Sequence, residues 1–149
     1  MKEKEPLIPA YSKIELGELS ALSNYTFQPN ANFKIDGKRF VKDELGLTSS
    51  EISFNVMAPD TAIPFLHKHK ENEEVYIGIK GSGQILLNDQ YVDITQGSVV
   101  RVPTTTERAI RNNSKEIFIF IVVQAKENSL QGSTTTDGYG IDKKPNWNL

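Results

Sequence analysis

The stretch "PFLHKHKENEEVYIGIKG", residues 64–81, contains both histidines of this 149-residue chain. On an extended strand, side chains two residues apart point the same way and lie about 6–7 Å apart. His67 and His69 can therefore converge on one ion. The lysines beside them would equally suit an exposed sheet edge, where such histidine pairs occur without a metal. The residues that follow decide between these two interpretations.

The polar segment "KENE" after His69 predicts a turn, and the alternation in "EVYIGIKG" predicts a strand that begins at Glu74. The apolar residues that share one face of this strand are Val75, Ile77 and Ile79. Glu74, Tyr76 and Gly78 share the other face, with the histidines, whereas Glu73 points away. Gly78 either leaves room in a pocket or marks a bulge or bend. Two imidazoles and one carboxylate on adjacent strands suit Fe(II), Mn, Ni or Zn, with positions left open for water or substrate.

The rest of the chain predicts an all-β protein. Short alternating runs such as "SEISFNVM", "GQILL", "SVVRV" and "EIFIFIVVQA" are separated by turn-forming segments such as "LNDQ", "TQGS" and "RNNSKE". Many short strands at close spacing favour an antiparallel sandwich or barrel. In "FKIDGKRF", Asp36-Gly37 predicts a hairpin. Residues 11–25 favour a strand over a short helix, and residues 129–149 predict an irregular tail.

Composition narrows the class of protein. Seventeen basic and nineteen acidic residues nearly balance, and no stripe of lysine or arginine predicts a nucleic-acid partner. The chain has no cysteine, which excludes disulfides, thiol catalysis and thiolate metal ligands. The first residues are charged, which does not fit a signal peptide, and no apolar run reaches the roughly 18 residues of a membrane helix. These features predict one cytoplasmic domain spanning residues 1–149, with no membrane partner.

The motifs resemble those of the cupin superfamily. Its first motif, two histidines followed by a glutamate and a glycine, is matched by His67, His69, Glu74 and Gly81, with Thr61 at the usual leading glycine. Its second motif is matched by Gly97, Pro103 and Asn112, with Thr105 at the usual second glycine and Arg108 at the usual third metal-binding histidine. The resemblance covers residues 50–125. It implies an antiparallel double-stranded β-helix (cupin/jelly-roll) barrel, to which residues 1–48 add N-terminal strands.

Among the positions that differ from the cupin motifs, Arg108 matters most for the chemistry, because a guanidinium stays protonated and cannot bind a metal. A single positive charge about 5 Å from a divalent ion costs on the order of 7 kcal/mol at an effective dielectric of about 20. Three arrangements remain open. Arg108 turns outward, or it stays inward while an anionic substrate bridges it to the ion, or it pairs with Glu74 and the metal is absent.

The resemblance implies a small-molecule substrate or ligand and two classes of function. In the first, His67, His69 and Glu74 hold a divalent metal, Tyr76 and Arg108 are catalytic residues, and the reaction is of isomerase, dioxygenase or lyase type on a small polar or anionic molecule. In the second, the barrel is a metal-free binding module. A histidine acting directly as general base is a third possibility. The apolar outer face of the strand at Val75 predicts a cover by the N-terminal segment or a homodimer.

Overall fold

The computed structural model describes residues 9–147 of the chain. Within them it has eleven strands, two 3₁₀ helices and one short α-helix. The strands are β1 (Thr26–Asn30), β2 (Phe33–Asp36), β3 (Lys38–Phe40), β4 (Glu51–Met57), β5 (Thr61–Ala62), β6 (Asn72–Lys80), β7 (Ser82–Leu87), β8 (Gln90–Thr95), β9 (Val99–Val102), β10 (Arg108–Asn112) and β11 (Phe118–Lys126). The helices are Leu19–Asn24, Lys42–Leu45 (α1) and Thr134–Thr136.

The strands form two main antiparallel sheets and a small ribbon. The larger sheet has the order β3-β4-β11-β6-β9, the smaller has the order β5-β10-β7-β8, and β1 pairs with β2. The apolar residues buried together between the main sheets are Tyr76, Ile85, Ile94, Val102, Phe118, Phe120 and Val122. The all-β, antiparallel jelly-roll architecture expected from the sequence is therefore confirmed.

Strand β6 has the facing expected from its alternation. Glu74, Tyr76 and Gly78 are buried, while the intervening residues are part-buried. Gly78 does not open a pocket. It lies at a β-bulge, where the register between β6 and β11 shifts between Gly78 and Lys80. A Cβ at this position would collide with the carbonyl oxygen of Thr95, because β8 crosses here in close contact. The glycine is thus required by the approach of two backbones.

The hairpin expected at Asp36-Gly37 is wrong. Strand β2 pairs with β1, whereas β3 pairs with β4 in the larger sheet. Gly37 lies where the chain passes from the ribbon to the sheet, with φ of 73°, and a Cβ there would collide with the carbonyl oxygen of Val56. Asp36-Gly37 does form a turn, but the turn leads from the β1–β2 ribbon into the larger sheet instead of joining two paired strands. This places Lys38 against β4.

The strand favoured for residues 11–25 is also wrong, because this segment contains the 3₁₀ helix Leu19–Asn24. Its apolar residues Leu19 and Leu22 are three apart, the repeat of a 3₁₀ turn. Leu22 is buried against Val56 and Ile119, and Ile79 packs against the same cluster. The N-terminal segment thus covers part of the outer face of the larger sheet.

After β11 the described chain is mostly irregular, with the turn Thr134–Thr136 as its regular element. Among residues 9–147, no helix has both the length and the apolar character needed to cross a membrane.

Candidate metal centre

The structure brings His67, His69 and Glu74 together. One possible ligand atom from each lies within 4.8 Å of the others. The Nε2 atom of His69 is 3.3 Å from Oε2 of Glu74, and the Nε2 atom of His67 is 4.0 Å from Oε1. Three ligands at about 2.1 Å from one ion stand about 3–4 Å apart, so these separations suit a shared metal.

Different elements position the three side chains. Glu74 lies on β6, with its side chain directed between the sheets. The histidines precede β6 in a segment that is held by one isolated bridge, in which His67 and Arg108 exchange both backbone hydrogen bonds at 3.1 and 3.0 Å. The strand expected at the histidines is thus reduced to a single bridge. The two imidazole rings still converge, with centroids 5.3 Å apart.

Tyr76 and Arg108 both contact the carboxylate of Glu74. The Tyr76 hydroxyl donates a hydrogen bond to Oε1 at 3.1 Å, and the Arg108 Nε lies 3.2 Å from the same oxygen. Burial, with the negative charge of Glu74, raises the pKa of Tyr76 well above its usual value, so the phenol stays protonated. One oxygen of Glu74 is thereby fixed, and Oε2 remains facing His69.

Arg108 is completely buried, so the arrangement in which it turns outward is wrong. Its Nη2 donates to the carbonyl oxygens of Pro103 and Val102 at 3.1 and 3.4 Å. Its Nε contact with Glu74 pairs the charges without hydrogen-bond alignment, and Nη1 has no partner within residues 9–147. Arg108 does not line the cavity described below, so the expected clamp on a substrate anion is not supported. Its contacts make it a countercharge behind Glu74.

The donor set of the three residues fits a divalent transition metal. The Nε2 atom of His69 and the Nδ1 atom of His67 are buried and have no hydrogen-bond partner among the described residues. A buried nitrogen without a partner is costly unless a ligand or an ion satisfies it. Burial, as the largest cause, lowers the pKa of His67, with smaller contributions from His69, Arg108 and Lys38 against the attraction of Glu74. A neutral imidazole is the form that binds metals.

A cavity of about 900 Å³ opens beside this cluster between the sheets and the β1–β2 ribbon. His67, His69, Glu74 and Tyr76 line it, as expected for a site. The polar lining residues that the sequence argument did not assign to the site are Ser23, Asn32, Lys34, Asp36, Lys38, Ser53, Asn55, Thr61 and Gln124. Alternation along β3 places Lys38 and Phe40 on the same face, and this could have predicted Lys38 as a lining residue. The wrong hairpin assignment paired β3 with β2, so this prediction was not made.

Lys38 lies part-buried on the wall of the cavity. Its Nζ donates to Asn55 Oδ1 at 2.9 Å and to Ser53 Oγ at 3.3 Å. It also lies 4.9 Å from the ring centroid of Phe40. Burial lowers the pKa of Lys38 to about 8, against the attraction of Glu74 and Glu51.

Comparisons with known proteins agree with the geometry. The family described as a cupin domain matches residues 54–124. A cupin protein from Bacteroides fragilis is 28% identical with a TM-score of 0.73, covering 90% of this chain and 99% of its own. A protein from Photorhabdus luminescens has 19% identity and a TM-score of 0.58, with 82% and 92% covered. A Cupin 2 conserved barrel domain protein from Salinispora arenicola has 17% identity and a TM-score of 0.56, with 78% and 92% covered. No curated protein matches.

Proposed function

Because the chain belongs to the cupin superfamily, we propose that it is a metal-dependent enzyme acting on a small polar or anionic molecule. His67, His69 and Glu74 would hold a divalent transition metal, one of Fe, Mn, Ni or Zn. The observation that carries the proposal is the buried Nε2 of His69, which has no hydrogen-bond partner within residues 9–147 and lies 3.3 Å from a Glu74 carboxylate oxygen at the wall of a large cavity. The reaction would be of isomerase, dioxygenase or lyase type.

Each residue has a distinct task in this proposal. A bound divalent ion supplies Lewis-acid polarisation of a carbonyl, or activation of water or oxygen. His67 and His69 offer imidazole nitrogens, and Glu74 offers the negative charge that a cation requires. Tyr76 holds Glu74 in place through its hydroxyl and lines the cavity, where its hydroxyl oxygen can accept a hydrogen bond from substrate. Arg108 acts through Glu74 and is a positioning residue.

Arg108 makes this a weaker metal site than one with a third neutral ligand. Its positive charge opposes a divalent ion, as worked out from the sequence, and its buried pairing with Glu74 draws electron density from the carboxylate. An anionic substrate would offset part of the excess positive charge. The proposal therefore favours substrates that carry a negative group.

A second candidate function is a metal-free, non-catalytic binding module. The observation that favours it is the 3.2 Å contact between Arg108 and Glu74, which neutralises the carboxylate without any ion. In this alternative the cavity binds a small molecule, and the histidines contribute polar contacts alone.

Metal analysis separates the two candidates. Untagged protein, purified without chelator or a nickel column, is expected to carry close to one transition metal ion per chain. His69→Ala and Glu74→Gln should lose it, because each removes a ligand. Glu73→Gln is the matched control, since this neighbouring carboxylate faces outward and pairs with Arg101. Wild-type protein without metal, and without affinity for added Fe(II), Mn, Ni or Zn, would refute the metal proposal and favour the second candidate.

We also propose a cytoplasmic homodimer. The outer face of β6 and β9 carries the part-buried Val75 and Ile77 beside Val99, which is 66% exposed. Among residues 9–147, the N-terminal segment packs on the cluster that contains Ile79, and Val75 and Ile77 are not part of that cluster. A second copy of the chain would bury it. Light scattering at micromolar concentration tests this, and a monomeric mass would refute it.

A further inference from the structure

We propose that Lys38 determines the substrate class, and that the cavity selects a carboxylate with a flat apolar body, such as an aromatic acid. The carboxylate would pair with the Lys38 ammonium while the body packs on a wall of phenylalanines. This inference rests on the proposed function for the identity of the site, but it concerns a different part of the cavity from the metal-binding cluster.

The Lys38 ammonium is hydrogen-bonded to neutral groups, and within residues 9–147 it forms no ion pair. A lysine ammonium has three N–H groups, and the neutral oxygens of Asn55 and Ser53 accept two of them. One donor remains. Within residues 9–147, no carboxylate oxygen lies within the 4.0 Å of an ion pair to this Nζ. Since a part-buried charge without a partner is unfavourable, a ligand anion at this point would gain a charge-assisted hydrogen bond.

The other enclosed cations of the barrel differ in this respect. Arg39, the next residue on β3, forms an ion pair with Glu44 at 2.8 Å, and Arg108 pairs with Glu74. Of these three, Lys38 alone lines the cavity and has no carboxylate within ion-pair distance among residues 9–147, although Glu74 attracts it from farther away. With a pKa of about 8, it is mostly protonated at pH 7.

The apolar half of the site begins next to Lys38. The ring of Phe40 lies under its Nζ, and Phe27 contacts Phe40 with centroids 4.8 Å apart. Phe33 continues the series at 6.3 Å from Phe27, and Phe65 follows at 5.7 Å from Phe33. All four rings line the cavity, and Phe65 reaches His67 at 6.2 Å. A continuous aromatic wall thus joins the ammonium to the metal-binding cluster.

This arrangement disfavours a wholly polar substrate. The four phenylalanine rings offer apolar contact surface to a flat group and supply no hydrogen-bond donors or acceptors. A volume of about 900 Å³ also exceeds what a two- or three-carbon acid would fill. An aromatic acid satisfies both parts: its carboxylate meets Lys38, and its ring system covers the phenylalanines.

The test uses metal-free, full-length protein at pH 7, so that it does not depend on the metal. Naphthoate is titrated by calorimetry against two matched probes, the neutral alcohol naphthylmethanol and acetate, which lacks the apolar body. We expect naphthoate to bind at least about tenfold more tightly than either probe, because one charge-assisted contact is worth about a factor of 10 to 100. Lys38→Met should remove this advantage and leave naphthylmethanol binding unchanged. Lys38→Arg should retain part of it.

Lys115→Met is the control, since Lys115 is exposed and pairs with Asp60 away from the cavity. Equal binding of naphthoate and naphthylmethanol to wild-type protein, or no naphthoate binding, would overturn the inference, even if Lys38→Met fails to fold. So would a folded Lys38→Met that binds naphthoate like the wild type. Metal loss with naphthoate binding intact refutes the metal proposal alone. Naphthoate failure in a protein that carries metal refutes this inference alone.

Discussion

Replacing Arg108 with glutamine should tighten metal binding while it weakens the metal-free fold. The guanidinium Nε lies 3.2 Å from a Glu74 oxygen, which places its charge about 5 Å from an ion bound by that carboxylate. At an effective dielectric of about 20, this repulsion is on the order of 7 kcal/mol, an upper limit because the neighbouring groups relax. Even a fifth of that value corresponds to a tenfold gain in affinity.

The same substitution leaves Glu74 buried without its countercharge. Glu74 is 5% exposed, and its remaining partner would be the Tyr76 hydroxyl. Removing one partner of a buried pair typically costs about 3–5 kcal/mol, so the metal-free variant should melt at a clearly lower temperature. A bound divalent ion supplies the missing positive charge. Metal should therefore raise the melting temperature of Arg108→Gln more than that of the wild type.

Calorimetric titration and thermal melts with Mn, Ni and Zn measure both effects. Arg101→Gln is the control, because this exposed arginine pairs with Glu73 and Glu127 outside the cavity. It should change neither the affinity nor the response of the melting temperature to metal. If Arg108→Gln bound metal no better than the wild type, the electrostatic account of this site would be wrong.

Three further predictions follow from single contacts. Tyr76→Phe should lower metal affinity about 10- to 100-fold with little loss of fold, because it removes the hydrogen bond that fixes Glu74, and calorimetry measures the change. Lys38 has a pKa of about 8 against 10.5 in an unfolded chain, so below pH 8 its charge destabilises the fold by at most about 3 kcal/mol. Between pH 8 and 10.5 the unfolded chain binds more protons than the folded chain, so the free energy of unfolding rises with pH over this range. Urea titrations should show a smaller rise in Lys38→Met than in the wild type. Gly78→Ala should destabilise the barrel by several times the usual cost of about 1 kcal/mol for a point mutation, since its methyl meets the Thr95 carbonyl, and a melting temperature equal to the wild type would contradict this.

The sequence predicted the parts of the site that depend on local periodicity. Alternation along β6 was enough to place Glu74 and Tyr76 inside and Glu73 outside, because a strand repeats every two residues whatever it pairs with. The spacing from His69 to Glu74 likewise follows from one turn between neighbouring segments. These residues needed no knowledge of distant parts of the chain.

The positions of the Lys38 and Arg108 side chains depend on tertiary contacts. Lys38 enters the cavity because β3 pairs with β4, and the local turn signal at Gly37 favoured pairing with β2 instead. The position of Arg108 depends on two carbonyl groups at the end of β9 that hold its Nη2. A local pattern gives no information on such contacts. Its burial excludes the outward arrangement of Arg108, and the metal analysis described above separates the two inward ones.

The charges of the cavity explain why Lys38 and Arg108 matter together. Arg108 already balances the carboxylate of Glu74, so the ammonium of Lys38 is in excess when His67 is neutral. Any divalent ion at the histidines increases that excess. A carboxylate on Lys38 would reduce it, so metal and organic anion should each bind more tightly when the other is present, and by the same factor. In this cavity the substitution of arginine for a third ligand does not simply weaken a metal site. It makes occupancy by the ion depend on the charge of the molecule that shares the cavity.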